Sequence, residues 1–181
     1  MTPSRMTPSR MIMRRLFFLF AALAVVLTAC SSGGDSAGDG PLPEVELEFV
    51  SGGTYTVAGA AEQPRVLNLW ATWCAPCRAE LPIFDEVAAE TDGIDIIGIN
   101  VGDTGEQATE LIEELGLSFP QVLDPEGRIQ RFLRITGMPS TIFIDANGEV
   151  LDIHAGEVDR SELLALLAEN YGELGDVFAS Q

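Results

Sequence analysis

The stretch from residue 65 to residue 90 constrains the fold more than any other part of the chain. It opens with Arg65–Trp70, a short and nearly continuous apolar run that is typical of a strand buried in a parallel sheet. An amphipathic helix is predicted from about Ala75 to Glu90. Cys74 and Cys77 therefore stand at the junction between a buried strand and a helix.

This junction suits thiol chemistry at Cys74. The thiolate attacks in disulfide exchange, and an ordinary thiol with a pKa of ~8.5 supplies little of it at neutral pH. Unpaired N–H groups and the helix dipole favour an anion at a helix N-terminus, and Pro76 is tolerated in the first turn because its missing N–H would have no partner. Cys77 falls one turn further on the same face. We therefore expect an exposed nucleophile at Cys74 and a shielded resolving thiol at Cys77, with apolar walls from Trp70 and Trp73.

Two other uses of a Cys-x-x-Cys pair are less favoured. A structural zinc site needs four ligands, and the only other candidates are Cys30 and His154, the sole histidine. An inert structural disulfide would close too short a loop to constrain much. Redox chemistry is the favoured interpretation, with no metal and no cofactor beyond the cysteine pair. Zinc binding and an inert disulfide remain as alternatives.

The rest of the pattern alternates strands and helices, in the order ββ, βαβ, αβα and ββα. Such alternation predicts an α/β sandwich around a mixed sheet. The predicted elements around the central segment are a hairpin at 44–49 and 54–57, a strand at 94–101, a helix capped at Thr104 and ending at Gly116, a short strand at 121–123, a short helix at 129–133, a hairpin at 141–144 and 150–153, and a helix capped at Asp159.

The first 29 residues are predicted to be a lipoprotein-type signal peptide with an overlong start. Arg14 and Arg15 precede the apolar run Leu16–Leu27, and the run ends in Leu-Thr-Ala-Cys30. This ending resembles a bacterial lipobox, which implies cleavage before Cys30 and a diacylglycerol on its sulfur. An ordinary signal peptide and a retained anchor helix are the alternatives. Residues 30–43 then form a flexible tether and residues 44–181 an extracytoplasmic domain.

Charge excludes one class of partner. The chain carries ten arginines, no lysine and 28 acidic residues, for a net charge of −18. Four arginines precede residue 30 and every acidic residue follows it, so the remainder carries six arginines against 28 acids, or −22. Such a surface repels phosphate backbones, and we expect no nucleic-acid binding.

Two motifs together resemble the TlpA/ResA-like branch of thioredoxin-fold thiol–disulfide oxidoreductases. They are VLNLWATWCAPCRAELP and, downstream, GMPSTIFIDANGEV. The resemblance covers about residues 44–170 and implies a thioredoxin-like fold with an N-terminal β-hairpin and an αβ insertion. It also implies a cis peptide bond at Pro139 beside the cysteine pair. The backbone of Met138 would then be free to pair with a substrate strand.

Two further positions favour this branch over ordinary thioredoxins. Asn68 stands on the strand before the cysteines, where thioredoxins carry a buried aspartate. Glu80, three residues after Cys77, matches a glutamate that ResA-like members carry near the active site. We hypothesise that Glu80 tunes the thiols or relays protons; the alternative is an exposed helix glutamate.

The resemblance implies a membrane-anchored reductase of protein disulfides, with reduction of apocytochrome c cysteines before haem attachment as the leading role. A membrane thiol-transfer protein would supply the electrons. The Cys-Ala-Pro-Cys segment does not determine the direction of electron flow. An oxidant that forms disulfides in exported proteins is therefore the alternative within the same chemistry. A thiol peroxidase and a non-catalytic binding lipoprotein are the alternatives of other classes.

Overall fold

A seven-stranded mixed sheet forms the centre of the protein. The structure is a computed structural model that describes residues 42, 44–57 and 59–172. The strands follow the order β2-β1-β5-β4-β3-β6-β7. Their bounds are β1 Glu46–Phe49, β2 Thr54–Thr56, β3 Arg65–Trp70, β4 Asp95–Val101, β5 Gln121–Asp124, β6 Ser140–Ile144 and β7 Val150–Ala155.

Four helices flank the sheet: α1 Ala75–Glu90, α2 Gly105–Leu115, α3 Arg128–Phe132 and α4 Arg160–Tyr171. The side chains of α1, α2 and α4 pack into one hydrophobic core on one face of the sheet. Side chains of α3 pack into a second core, together with residues of the N-terminal hairpin. The predicted α/β architecture with a mixed sheet, an N-terminal hairpin and an added αβ segment is confirmed.

Local sequence signals set the helix ends as predicted. Thr104 and Gln107 form a reciprocal capping box at the start of α2, and Gly116 closes that helix in the left-handed conformation, with φ of 66°. Asp159 accepts the Glu162 N–H at the start of α4. These caps fix where the loops between strands and helices begin.

One edge of the sheet collects the loops that matter for function. β3, β4 and β5 are parallel, so their carboxyl ends lie together. β6 runs antiparallel to β3, with Ser140 opposite Leu69. The segment before Ser140 therefore reaches the same edge as the segment after Trp70, where the cysteines follow.

The predicted signal peptide, the tether, Cys30 and the last nine residues lie outside the described part, apart from Leu42 within the tether. No helix among the described residues is long and apolar enough to cross a membrane.

Candidate active site

Cys74 and Cys77 are joined by a disulfide at the N-terminus of α1. Cys74 is the N-cap residue, and its Sγ accepts the backbone N–H of Cys77 at 3.3 Å. Cys77 is fully buried, whereas 4% of Cys74 is exposed. Cys77 is shielded as expected, whereas the expectation of an exposed Cys74 is wrong for this oxidised form, because Cys74 is also buried. The core of α1 and β3 encloses both sulfurs.

The loop that presents Cys74 is held by a buried carboxylate that sequence analysis missed. Asp103 Oδ2 accepts the Thr72 N–H at 2.7 Å and Asn100 Nδ2 at 2.8 Å, and its Oδ1 accepts the Thr72 hydroxyl at 2.9 Å. Asp103 follows β4 as Thr72 follows β3. The carboxyl ends of parallel strands meet at one edge of a sheet, and this rule could have predicted that Asp103 lies close to Thr72.

Glu80 is completely buried, so the alternative of an exposed helix glutamate is wrong. Its Oε1 accepts Asn68 Nδ2 at 2.7 Å, and its Oε2 accepts the backbone N–H of Val158 at 3.0 Å. Asn68 lies opposite Thr141 on β6. Asn68 Oδ1 and Thr141 Oγ1 are buried without a hydrogen-bond partner in the described part of the chain.

Burial raises the pKa of Glu80 to about 7 from an ordinary value of 4.5. The bonds from Asn68 and Val158 oppose this shift, and the charge of Glu157 adds to it. Glu80 lies three residues after Cys77 on a buried face of α1. A carboxyl group with such a pKa can both release and accept a proton near neutral pH.

The two tryptophans occupy different environments. Trp73, immediately before Cys74, is 71% exposed. Trp70 is fully buried, and its Nε1 donates to Gln121 Oε1 at 2.9 Å. Trp70 lies in the core on the sheet face that α1 covers, in the same hydrophobic cluster as both cysteines, so it forms a buried apolar wall of the site.

The Met138–Pro139 peptide bond is cis, as the family resemblance implies. Met138 is half-buried and packs against the core that contains both cysteines. Met138 lies just before β6 and Trp73 just after β3, so both are at the edge of the sheet that carries the cysteine pair. Among the described residues, no three His, Cys, Asp or Glu side chains lie close enough to hold a metal ion.

A disulfide at a helix N-terminus, beside a cis-proline and within a mixed sheet, defines a thiol–disulfide oxidoreductase of the thioredoxin type. Residues 39–153 match the AhpC/TSA family, and the chain belongs to it.

Two groups of relatives carry names that agree with this chemistry. The chain is 31% identical to the thiol-disulfide oxidoreductase ResA of Oceanobacillus iheyensis, over 86% of each chain. It is 33% identical to the thiol:disulfide interchange protein DsbE of Vibrio cholerae, over 77% of this chain and 83% of that one. Among solved structures, the exposed lipoprotein thioredoxin Etrx1 of Streptococcus pneumoniae is 30% identical, with a TM-score of 0.60 over 70% of this chain and 99% of that chain.

Glu80→Gln should change how stability depends on pH. Between pH 4.5 and 7 the folded protein holds a proton on Glu80 that the unfolded chain has lost, so the free energy of unfolding falls as pH rises, by up to about 3 kcal/mol. Glutamine cannot ionise, and rotation of the Asn68 amide would let it keep both hydrogen bonds. In urea unfolding of the oxidised proteins, the free energy of unfolding of the variant should rise relative to that of the wild type as the pH increases from 4.5 to 7. Glu86→Gln, at an exposed position of α1, is the control. Parallel pH curves for Glu80→Gln and wild type would contradict the assignment.

Two substitutions at Asp103 should distinguish the effect of its hydrogen bonds from the effect of its negative charge. Asp103→Ala leaves the Thr72 N–H without its acceptor, and we expect a loss of ~1–3 kcal/mol in stability. Asp103→Asn can keep all three contacts, since its oxygen can take both N–H donors and its amide can donate to Thr72 Oγ1. Removing the negative charge from beside the cysteine loop should then raise the thiolate fraction of Cys74. Alkylation of the reduced proteins by iodoacetamide measures this fraction. Equal alkylation rates in Asp103→Asn and wild type would rule out the charge effect.

Proposed function

We propose that the protein is an exported, membrane-anchored reductase of protein disulfides. The single observation that carries the proposal is the Cys74–Cys77 disulfide at the N-terminus of α1, in which Cys74 is 4% exposed and Cys77 is fully buried. The names of the ResA and DsbE relatives support thiol–disulfide exchange as its chemistry. A thiol peroxidase would need one peroxidatic cysteine and no Cys-x-x-Cys pair, so the paired cysteines favour exchange.

Exchange proceeds through a mixed disulfide. The Cys74 thiolate attacks one sulfur of a substrate disulfide; a new sulfur–sulfur bond forms, and the departing substrate sulfur takes up a proton. Cys77 then loses its proton and attacks Cys74 Sγ, which releases the second substrate thiol and closes the Cys74–Cys77 disulfide. Two electrons and two protons pass to the substrate in all. A membrane thiol-transfer protein would restore the dithiol by the reverse exchange.

Glu80 is proposed to serve the proton transfers of this cycle. Support comes from its burial, its pKa of about 7 and its place three residues beyond Cys77. Its carboxylate would take the proton that Cys77 loses and deliver it during release of product. This is a positioning and relay role, since Glu80 itself touches Asn68 and Val158.

Substrate is proposed to lie along Met138, with the exposed indole of Trp73 against it. Met138 lies two residues before Ser140, which pairs with Leu69 at the end of β3 that leads to the cysteines. A substrate strand could pair there by main-chain hydrogen bonds. Apocytochrome c cysteines are the candidate substrate, because the family resemblance implies them.

The anchor is proposed to be a lipid on Cys30. The lipobox-like ending at residues 27–30 supports this, and so does the similarity to Etrx1, which is named an exposed lipoprotein. The Gly-rich tether would hold the domain clear of the headgroups.

Cys77→Ser should trap substrates on Cys74. Without a resolving thiol, the mixed disulfide persists and can be isolated under non-reducing conditions. Mass spectrometry of the adducts identifies the partner, and the Cys74→Ser, Cys77→Ser double variant is the control that should trap nothing. If Cys77→Ser gave no adduct beyond this control, the proposal would fail. A Cys74–Cys77 pair found oxidised at steady state in cells, with substrates gaining disulfides, would reverse the proposed direction.

Cys30→Ser should abolish lipid attachment to the protein. In cells fed a labelled fatty acid, the wild type should carry the label and sediment with membranes, whereas the variant should carry none. Cys74→Ser is the matched control and should keep both the label and the membrane location. Wild-type protein without the label would contradict the proposed lipid on Cys30 and would leave the proposed exchange chemistry unaffected.

A further inference from the structure

Positive charge is concentrated in one short segment of this acidic domain. Only six arginines follow residue 30, against 28 acidic residues. Three of the six, Arg128, Arg131 and Arg134, lie within seven residues at a spacing of three, on α3 and directly after it. Phe132, between them, is 48% exposed, which is unusual for a large apolar side chain here.

The three arginines differ in what they already bind. Arg128 donates to the Glu46 carbonyl at 2.8 Å and lies 3.7 Å from the buried carboxylate of Asp124. Arg131 donates to the Glu126 carbonyl, which leaves its charge without a carboxylate partner among the described residues. Arg134 is exposed and forms no ion pair or side-chain hydrogen bond in the described part of the chain. Arg131 and Arg134 can therefore still receive a carboxylate.

Arg134 adopts a left-handed backbone conformation that is unusual for an arginine. Arg134 has a φ of 54° and is the non-glycine residue with positive φ in the described ranges. It closes α3, with its N–H bonded to the Arg131 carbonyl and the Ile135 N–H bonded to the Gln130 carbonyl. Glycine or asparagine is usual at such a position, because other side chains are strained there. An arginine at this position keeps a cation on the surface at a conformational cost.

This segment leads to the cysteine edge of the sheet. Arg134 and Gly137 line a shallow groove of about 200 Å³ together with Ser140 and Ile153. Met138 and the cis bond before Pro139 follow at once. A Cβ at Gly127 would contact both the Arg131 guanidinium and the side chain of Val101, the last residue of β4, so Arg131 also lies at this edge.

We propose that Arg131, Phe132 and Arg134, the arginine patch, dock an acidic segment of the protein substrate beside its disulfide. The inference rests on the proposed function and adds a substrate class, disulfides flanked by Asp or Glu and an apolar residue. The domain at residues 44–181 carries 26 acidic residues against six arginines, a net charge of −20, and repels such a segment over most of its surface. The arginine patch therefore orients the approach toward Cys74.

An anionic membrane offers the same charge but fits less well. A membrane is extended, so its surface would also meet the acidic faces around the arginine patch. A flexible peptide segment can meet the patch alone and enter the groove that Arg134 and Gly137 line, next to Met138 in the chain. We therefore assign the patch to the substrate and treat lipid binding as an outcome of the test.

The test compares short peptide disulfides that differ only in the residues flanking cysteine, Asp in one and Asn in the other. Reaction of the reduced protein with each gives a second-order rate, and the ratio of the Asp rate to the Asn rate is the readout. Arg134→Asn suits the left-handed backbone and removes the charge. It should lower this ratio about 2- to 5-fold at low ionic strength, and high salt should erase the effect. Arg134→Lys should restore the wild-type ratio.

Arg160→Asn is the matched control, because it removes the same charge where Arg160 pairs with Glu90, at the far end of α1 from the cysteines. An unchanged ratio in Arg134→Asn, or an equal fall in Arg160→Asn, would overturn the inference and leave the proposed function standing. Failure of the wild type to react with any peptide would overturn both. Loss of binding to phosphatidylglycerol vesicles in Arg134→Asn, with the peptide ratio unchanged, would reassign the arginine patch to the membrane.

Discussion

The burial of β3 on both faces and its pairing along both edges determine where the rest of the site lies. All six of its residues are buried, and it is bonded to β4 on one side and β6 on the other. A strand held in this way cannot shift without moving both cores. The turn that follows Trp70 therefore starts from a fixed point, and Asp103 fixes its next residue from the neighbouring loop. The position of the cysteine pair is therefore fixed by the contacts of β3 and Asp103, none of which involves sulfur.

The sequence predicted those parts of the structure that depend on local patterns. Apolar runs, the capping residues Thr104 and Asp159, and the turn after Ile144 each act within a few residues, and the corresponding elements were correct. The location of the cysteines followed from the same patterns. The cis bond before Pro139 came from family resemblance alone, because no local pattern requires it.

What could not be predicted depends on residues far apart in the chain. Glu80 is buried because Val158, 78 residues away, supplies an N–H to its second oxygen. The role of Asp103 depends on Thr72, 31 residues earlier. The hydrogen bond from Trp70 to Gln121 joins residues 51 positions apart, so no local pattern indicated it. Polarity alone gave no reason to place a carboxylate inside the core, where burial costs free energy unless hydrogen bonds offset it.

The capping contact at Cys74 ties the redox reaction to the folding of α1. The sulfur that exchanges with substrate is also the group that satisfies the first turn of the helix through the Cys77 N–H. Any free energy by which a Cys74 thiolate strengthens this cap stabilises the reduced fold, and by the closed thermodynamic cycle it opposes oxidation by the same amount. A difference of about 1.4 kcal/mol between the two forms corresponds to ~30 mV. The difference between the free energies of unfolding of the two redox forms therefore measures how far the fold shifts the reduction potential of the cysteine pair from its value in the unfolded chain.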